Sequence, residues 1–234
     1  MSELLELLLT PPGETIWVRD ADGDHDAESV RRRAAGVKRQ LETLSAGSAV
    51  GLLHEPSAGW VAAWLGVMAA GHVVVPLSRQ QPASERQRLC DDAGARVVLD
   101  DEAVAAVTPG KTSELHAAVG RLRARTQSDP SAATAMLLYT SGTTGRSKGV
   151  MLSHACLAHQ ARLLMRAWQI DGDTELVHTL VLHHTHGVAI ALLPALCAGA
   201  TVRLLPRFDP AAVLDAMASG GNTFMAVPTM YYRL

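Results

Sequence analysis

The sequence predicts an α/β fold built as two βαβ-type lobes with mainly parallel sheets. Three observations carry this expectation. Short apolar runs alternate with helical stretches along most of the chain, the connections between them are brief, and several helical stretches start at capping residues and stop at glycines. The first lobe is expected over residues 1–130, including a linker, and the second over residues 131–234.

Taken in order, residues 15–19 read as a strand, followed by an Asp- and Gly-rich turn at 20–24. Asp26 can cap a helix running to about Leu44, with Val30, Val37, Leu41 and Leu44 on one face. Residues 48–53 form a buried strand. A helix over 57–70 follows and ends at Gly71, and residues 72–75 are a strand stopped by Pro76. Gln81-Pro82 opens a helix closed by Gly94, and residues 96–99 are the next strand. Residues 100–131 mix charges with Pro109-Gly110 and Asp129-Pro130, and read as a connection with some helix between the lobes. The second lobe starts with a strand at Ala135. A short strand at 150–152 leads to Ser153, which can cap a helix to Trp168. Strands at 176–182, 200–204 and 223–227 then alternate with helices at 188–197 and 210–218. Pro228 starts a last helix.

Between the strand at Ala135 and the strand at Val150 lies Thr140-Ser141-Gly142-Thr143-Thr144-Gly145-Arg146-Ser147-Lys148-Gly149. Glycines let a loop approach a ligand closely and adopt positive φ. Successive backbone N–H groups can form an anion-binding concavity, to which the hydroxyls add donors and Lys148 a mobile charge. The mixture describes a cradle for phosphate oxygens. It is not a Walker loop, which needs Gly, four residues and then Gly-Lys-Ser/Thr. A plain Ser/Thr/Gly surface loop is the bland alternative.

Composition excludes several classes. The chain has 234 residues, 48% hydrophobic and 19% charged, with a net charge of −2. That describes an ordinary globular chain and offers no global argument for nucleic acid or a membrane surface. Its three lysines are Lys38, Lys111 and Lys148, so a lysine inside the glycine run stands out. Cys90, Cys156 and Cys197 are widely spaced, which argues against a disulfide framework or zinc site and for a reducing compartment. The N-terminal ten residues carry Glu3 and Glu6 and no basic residue, unlike a leader, so a cytoplasmic location is expected, or a mitochondrial one if the N-terminus is incomplete. The apolar run 187–202 contains Pro194 and Gly199 and reads as a buried helix and strand rather than a membrane span.

His183-His184-Thr185-His186-Gly187 places three imidazoles after an apolar strand. A metal site is conceivable from composition, but no Cys, Asp or Glu cluster accompanies them, so no metal ligand is assigned; a structural histidine cluster is the other reading.

The run Tyr139 to Gly149 closely resembles the phosphate-binding motif of the adenylate-forming enzymes, usually Tyr-Thr-Ser-Gly-Thr-Thr-Gly-x-Pro-Lys-Gly. Ser147 stands where proline is usual. The stretch Trp64 to Leu77 resembles a structural segment of the same superfamily, with a helix ending in Ala-Gly before a strand to Pro-Leu. His186-Gly187 is similar to its histidine–glycine segment, although Val181-Leu182 replaces the usual preceding proline. The segment Val227-Pro228-Thr229-Met230-Tyr231-Tyr232-Arg233, together with His184-Thr185-His186-Gly187, resembles the malonyl-CoA synthetases.

This resemblance implies an incomplete N-terminal domain of an adenylate-forming enzyme, using ATP, Mg²⁺ and coenzyme A. It implies that Thr140, Ser141, Gly142, Thr143, Thr144, Gly145, Arg146, Ser147 and Lys148 bind ATP phosphates. It implies that His186 and Gly187 border the acyl pocket and that Arg233 holds the second carboxylate of malonate. A guanidinium suits that task, while a surface arginine is the alternative. The superfamily's Mg²⁺-holding glutamate, ribose-binding aspartate and C-terminal domain with its lysine have no counterpart here. No catalytic set is therefore complete, and the chain alone is expected to be inactive. Two rival readings stay open: a non-catalytic remnant, and an adenylating enzyme for a different carboxylic acid.

Overall fold

The computed structural model describes residues 3–128, 133–140 and 147–234, with side chains over 3–126, 133–140 and 147–234. The strands are β1 (Ile16–Asp20), β2 (Gly23–Asp26), β3 (Ala49–Leu53), β4 (Val73–Pro76), β5 (Val97–Asp100), β6 (Thr134–Thr140), β7 (Lys148–Ser153), β8 (Glu175–His178), β9 (Thr201–Leu204) and β10 (Thr223–Phe224). The α-helices are α1 (Glu3–Leu9), α2 (Ala27–Gln40), α3 (Ala58–Ala69), α4 (Ala83–Ala93), α5 (Asp101–Ala105), α6 (Thr112–Ser128), α7 (His154–Ala167), α8 (Leu193–Ala198), α9 (Pro210–Ala218) and α10 (Pro228–Tyr231). A π-helical turn, His186–Leu192, runs directly into α8.

Two five-stranded sheets result, ordered β10-β8-β9-β1-β2 and β5-β3-β4-β6-β7. Pairing is parallel except at one edge of each, where the β1–β2 and β6–β7 hairpins are antiparallel. The mainly parallel α/β architecture is the expected one. The division of strands is not consecutive, however. Both sheets draw strands from either side of residues 130/131: β1 pairs with β9, and β4 pairs with β6. Strand partners lie far apart in sequence, so local pattern does not reveal which strands share a sheet.

α3 explains how the sheets share one core. All twelve of its residues are buried, as a helix apolar all round requires. It packs against α2, where a side chain on Gly66 would come within 2.6 Å of the Ala34 carbonyl oxygen. A continuous core links Trp17 and Val18 of β1 with Val50 and Leu52 of β3, Met136 of β6 and Val202 of β9. Helix starts follow the predicted chemistry. The side chains of Asp26, Ser57 and Ser153 accept the backbone N–H of Ser29, Trp60 and Cys156. Gly94 takes φ 68° to close α4.

Four departures have local causes. The turn-rich 20–24 stretch is a hairpin whose second strand is β2. The connection after residue 100 holds the 17-residue α6. The N-terminal segment is a helix, with Leu4, Leu5 and Leu8 fully buried; Arg31 donates to the Leu8 and Pro11 carbonyls and lies over the Trp17 ring. Finally, β8 stops at His178 and β10 has two residues, because the chain leaves both strands early to form turns.

Candidate nucleotide and acid site

In the sheet that carries it, β6 runs parallel to β4, so Thr140 sits at the carboxyl end of the parallel strands, where α/β sheets place ligand sites. The β6–β7 ladder holds Thr140 opposite Lys148, and the Thr140 hydroxyl lies 3.4 Å from the Lys148 carbonyl oxygen. The two ends of the glycine run are thus clamped side by side. Ser141, Gly142, Thr143, Thr144, Gly145 and Arg146 lie outside the described residues. Lys148 is exposed, and it has no ion pair among the described residues.

Ser147 meets α4. Its hydroxyl lies 3.4 Å from Glu85 Oε1 and 3.5 Å from Arg88 Nη2, and Glu85 and Arg88 pair with each other at 2.6 Å. Beside them a cavity of about 290 Å³ is lined by Arg88, Leu89, Asp91, Asp92, Tyr139 and Ser147. The Tyr139 hydroxyl donates to Asp92 at 2.7 Å; burial and the neighbouring carboxylate both hold its proton on, well above the usual phenol range. These α4 residues carry no sequence signal, since Glu85-Arg88 reads as an ordinary surface pair.

The histidine segment forms the loop after β8 and the start of the π-turn. Gly187 is required there: a Cβ would collide with the Val181 carbonyl oxygen. The Gly187 carbonyl accepts from Nε2 of buried His178 at 3.0 Å. His186 is half-buried and His184 exposed. The His183 and His184 ring centroids lie 4.3 Å apart with the rings tilted by 46°, and through burial first and that neighbour second the His183 pKa falls to about 4. His183 also lines a narrow cleft with His54, Trp60, Arg79 and Pro206, between loops that follow β3, β4, β8 and β9. Among the described residues no group of three or more His, Cys, Asp or Glu side chains is placed to hold a metal ion.

Arg233 is exposed and its guanidinium lies 5.2 Å from the centroid of the Phe208 ring, a cation–π contact. Among the described residues no hydrogen bond joins Arg233, the His186 turn and the β6–β7 hairpin. The structure brings Thr140, Ser147 and Lys148 together, sets His186 and Gly187 in one turn, and leaves Arg233 on Phe208.

Two α/β sheets, with the β6–β7 hairpin at the carboxyl end of parallel strands, match the N-terminal domain of adenylate-forming enzymes. Residues 26–234 match the family described as AMP-binding enzyme, and the chain belongs to it. It is 30% identical to the mitochondrial malonate–CoA ligase of Homo sapiens, over 95% of this chain and 43% of that protein. To the malonate–CoA ligase of Arabidopsis thaliana it is 32% identical, over 80% of this chain and 36% of that one. Among solved structures, apo MatB from Rhodopseudomonas palustris superposes with a TM-score of 0.80 at 30% identity, covering 100% of this chain and 50% of that chain. The chain thus spans about two fifths of the length of these curated relatives. No described helix is long and apolar enough to cross a membrane.

Proposed function

We propose that the chain supplies the phosphate-binding and acid-binding elements of an ATP-dependent acyl-CoA ligase that acts on malonate. The observation that supports this most is the β6–β7 hairpin, which clamps Thr140 beside Lys148 at the carboxyl end of a parallel sheet. The relatives named malonate–CoA ligase support the acid.

In this reading a malonate carboxylate oxygen attacks the α-phosphorus of ATP. The bond to the bridging oxygen breaks, pyrophosphate leaves, and an acyl-adenylate remains. The sulfur of coenzyme A, its proton lost to a base, then attacks the acyl carbon, and AMP leaves. Negative charge grows on the departing phosphates in the first step, so positioned donors lower its barrier. The Thr140 hydroxyl and the Lys148 ammonium contribute such donors from this chain, together with Ser141 to Ser147. Mg²⁺, when it accompanies ATP, screens the triphosphate charge; the described hairpin residues include no carboxylate, and none is assigned to it. His186 and Gly187 border the acid, and Arg233 pairs with its second carboxylate after leaving the Phe208 ring.

The test of the acid is Arg233→Met in the full-length protein, with malonate and propionate compared by kcat/KM. A charge-assisted hydrogen bond is worth about 1.5–3 kcal/mol, so the malonate-to-propionate ratio should fall roughly 10- to 150-fold. An equal fall for both acids removes Arg233 from the acid site. The contact of Arg233 with Phe208 favours a second reading, in which a different carboxylic acid is activated; a substrate screen with a preferred monocarboxylate would select it.

A further inference from the structure

His178 is the last residue of β8 and is 1% exposed. A leucine or methionine would fill that position without desolvating a ring nitrogen. The imidazole instead leaves Nδ1 buried with no partner among the described residues and spends Nε2–H on the Gly187 carbonyl, 3.0 Å away. Burying an unpaired polar atom is unfavourable, so the placed donor has to return something. Gly187 is thereby held from two sides. Its Cα packs so closely on the Val181 carbonyl that no side chain fits, and its own carbonyl is tied to His178. The residue immediately before it is His186. The turn is π-helical, with Leu193 N–H bonded to the Val188 carbonyl, a geometry that is rare and is enriched at functional sites.

We propose that His178 is a positioning residue, whose Nε2–H fixes the Gly187 carbonyl and with it the direction in which the His186 imidazole faces the acid. The proposal rests on the reading of His186 as a wall of the acid pocket. Burial pushes the His178 pKa down to about 4, so the ring is neutral at pH 7, and the proton it keeps lies on the nitrogen facing the carbonyl. The strand supports the arrangement: the His178 carbonyl accepts from Leu205 N–H at 2.9 Å, which anchors the backbone from which the ring projects.

The experiment compares His178→Leu, His178→Gln and His178→Asn in the full-length protein. Gln can carry an N–H to the place of Nε2, whereas Asn is too short and Leu has no donor. Expected are a rise of about 3- to 10-fold in KM for malonate with Leu and Asn, the scale of one neutral hydrogen bond, an unchanged KM for ATP, and rescue by Gln. In ¹³C-edited NMR of the same full-length variants, the His186 Cε1–H resonance should shift with Leu and Asn and stay in place with Gln. If the Leu variant does not fold, the Asn and Gln pair decides. An unmoved His186 resonance with Asn, or KM values for malonate and ATP that rise together, overturns the proposal. If the wild-type protein activates no carboxylate, the reading of the pocket fails; the NMR comparison still decides whether His178 orients His186.

Discussion

At the residue scale, the readable features are those whose chemistry is local. Asp26, Ser57 and Ser153 cap helices because each side chain reaches an N–H three residues on, a relation visible in sequence. The hydrogen bond from His178 to Gly187 also spans only nine residues, yet nothing in a lone histidine at the end of an apolar run announces it. Gly187 shows the same limit. Its pairing with His186 is legible as a motif, but the reason for glycine, contact with the Val181 carbonyl, is visible only in the fold. Gly187→Ala should therefore destabilise the chain by about 1–3 kcal/mol through overpacking against backbone, read as a lower urea midpoint. A midpoint equal to wild type would show that the turn can yield.

Among elements, helices and strands of ordinary length were legible and the exceptions have physical causes. α1 has seven residues, too few for a periodic signal to stand out, and its burial comes from distant partners in α6, α7 and α8. The long α6 was obscured by its charges, which suit a helix with one face on α2 and α3. β10 is shorter than its apolar run because Pro228 starts a helix four residues beyond the strand. For α2, the cap is the sharpest test. Asp26→Ala removes the acceptor for Ser29 N–H and should cost about 1 kcal/mol, measured by urea unfolding, with the basic last turn of the helix unchanged. A change below roughly 0.3 kcal/mol would mean that the β2–α2 junction holds without it.

For the whole molecule, the pairing of sheets was the part least legible. β1 and β9 are adjacent strands from opposite ends of the chain, joined by ladder bonds, by the Thr201 hydroxyl donating to the Ile16 carbonyl and by Trp17 Nε1–H donating to the Leu196 carbonyl, over a core shared by both sheets. The same core dictates a pH response. His154 and His178 are each 1% exposed, and burial lowers both pKa values to about 4. The unfolded chain protonates these histidines near pH 6.5, whereas the folded chain does so only near 4. Their contribution is complete above pH 6.5 and is lost as pH falls towards 4, by at most about 1.4 kcal/mol per pH unit for each ring. Asp20 adds a lower window. Burial raises its pKa, but bonds from Ala58 N–H, His25 and Asp22 N–H outweigh this and lower it below 3.8, so its contribution is lost only as pH falls through that lowered value. Urea unfolding at pH 7.5, 6 and 5 should show the first loss, and His154→Gln should flatten it; equal stability at all three would contradict it.

The central claim is that the hairpin from Thr140 to Lys148 holds the phosphates of ATP while an acid is adenylated. Malonate-dependent ATP–pyrophosphate exchange by the full-length protein, wild type against Lys148→Ala, tests it most directly. The account expects exchange that requires malonate and falls about tenfold or more with Lys148→Ala, since a bond to a charged group is worth about 1.5–3 kcal/mol. The thermal midpoint should not change, because Lys148 is exposed. Malonate-dependent exchange that proceeds equally fast in the variant would contradict the assignment of the hairpin to the phosphates.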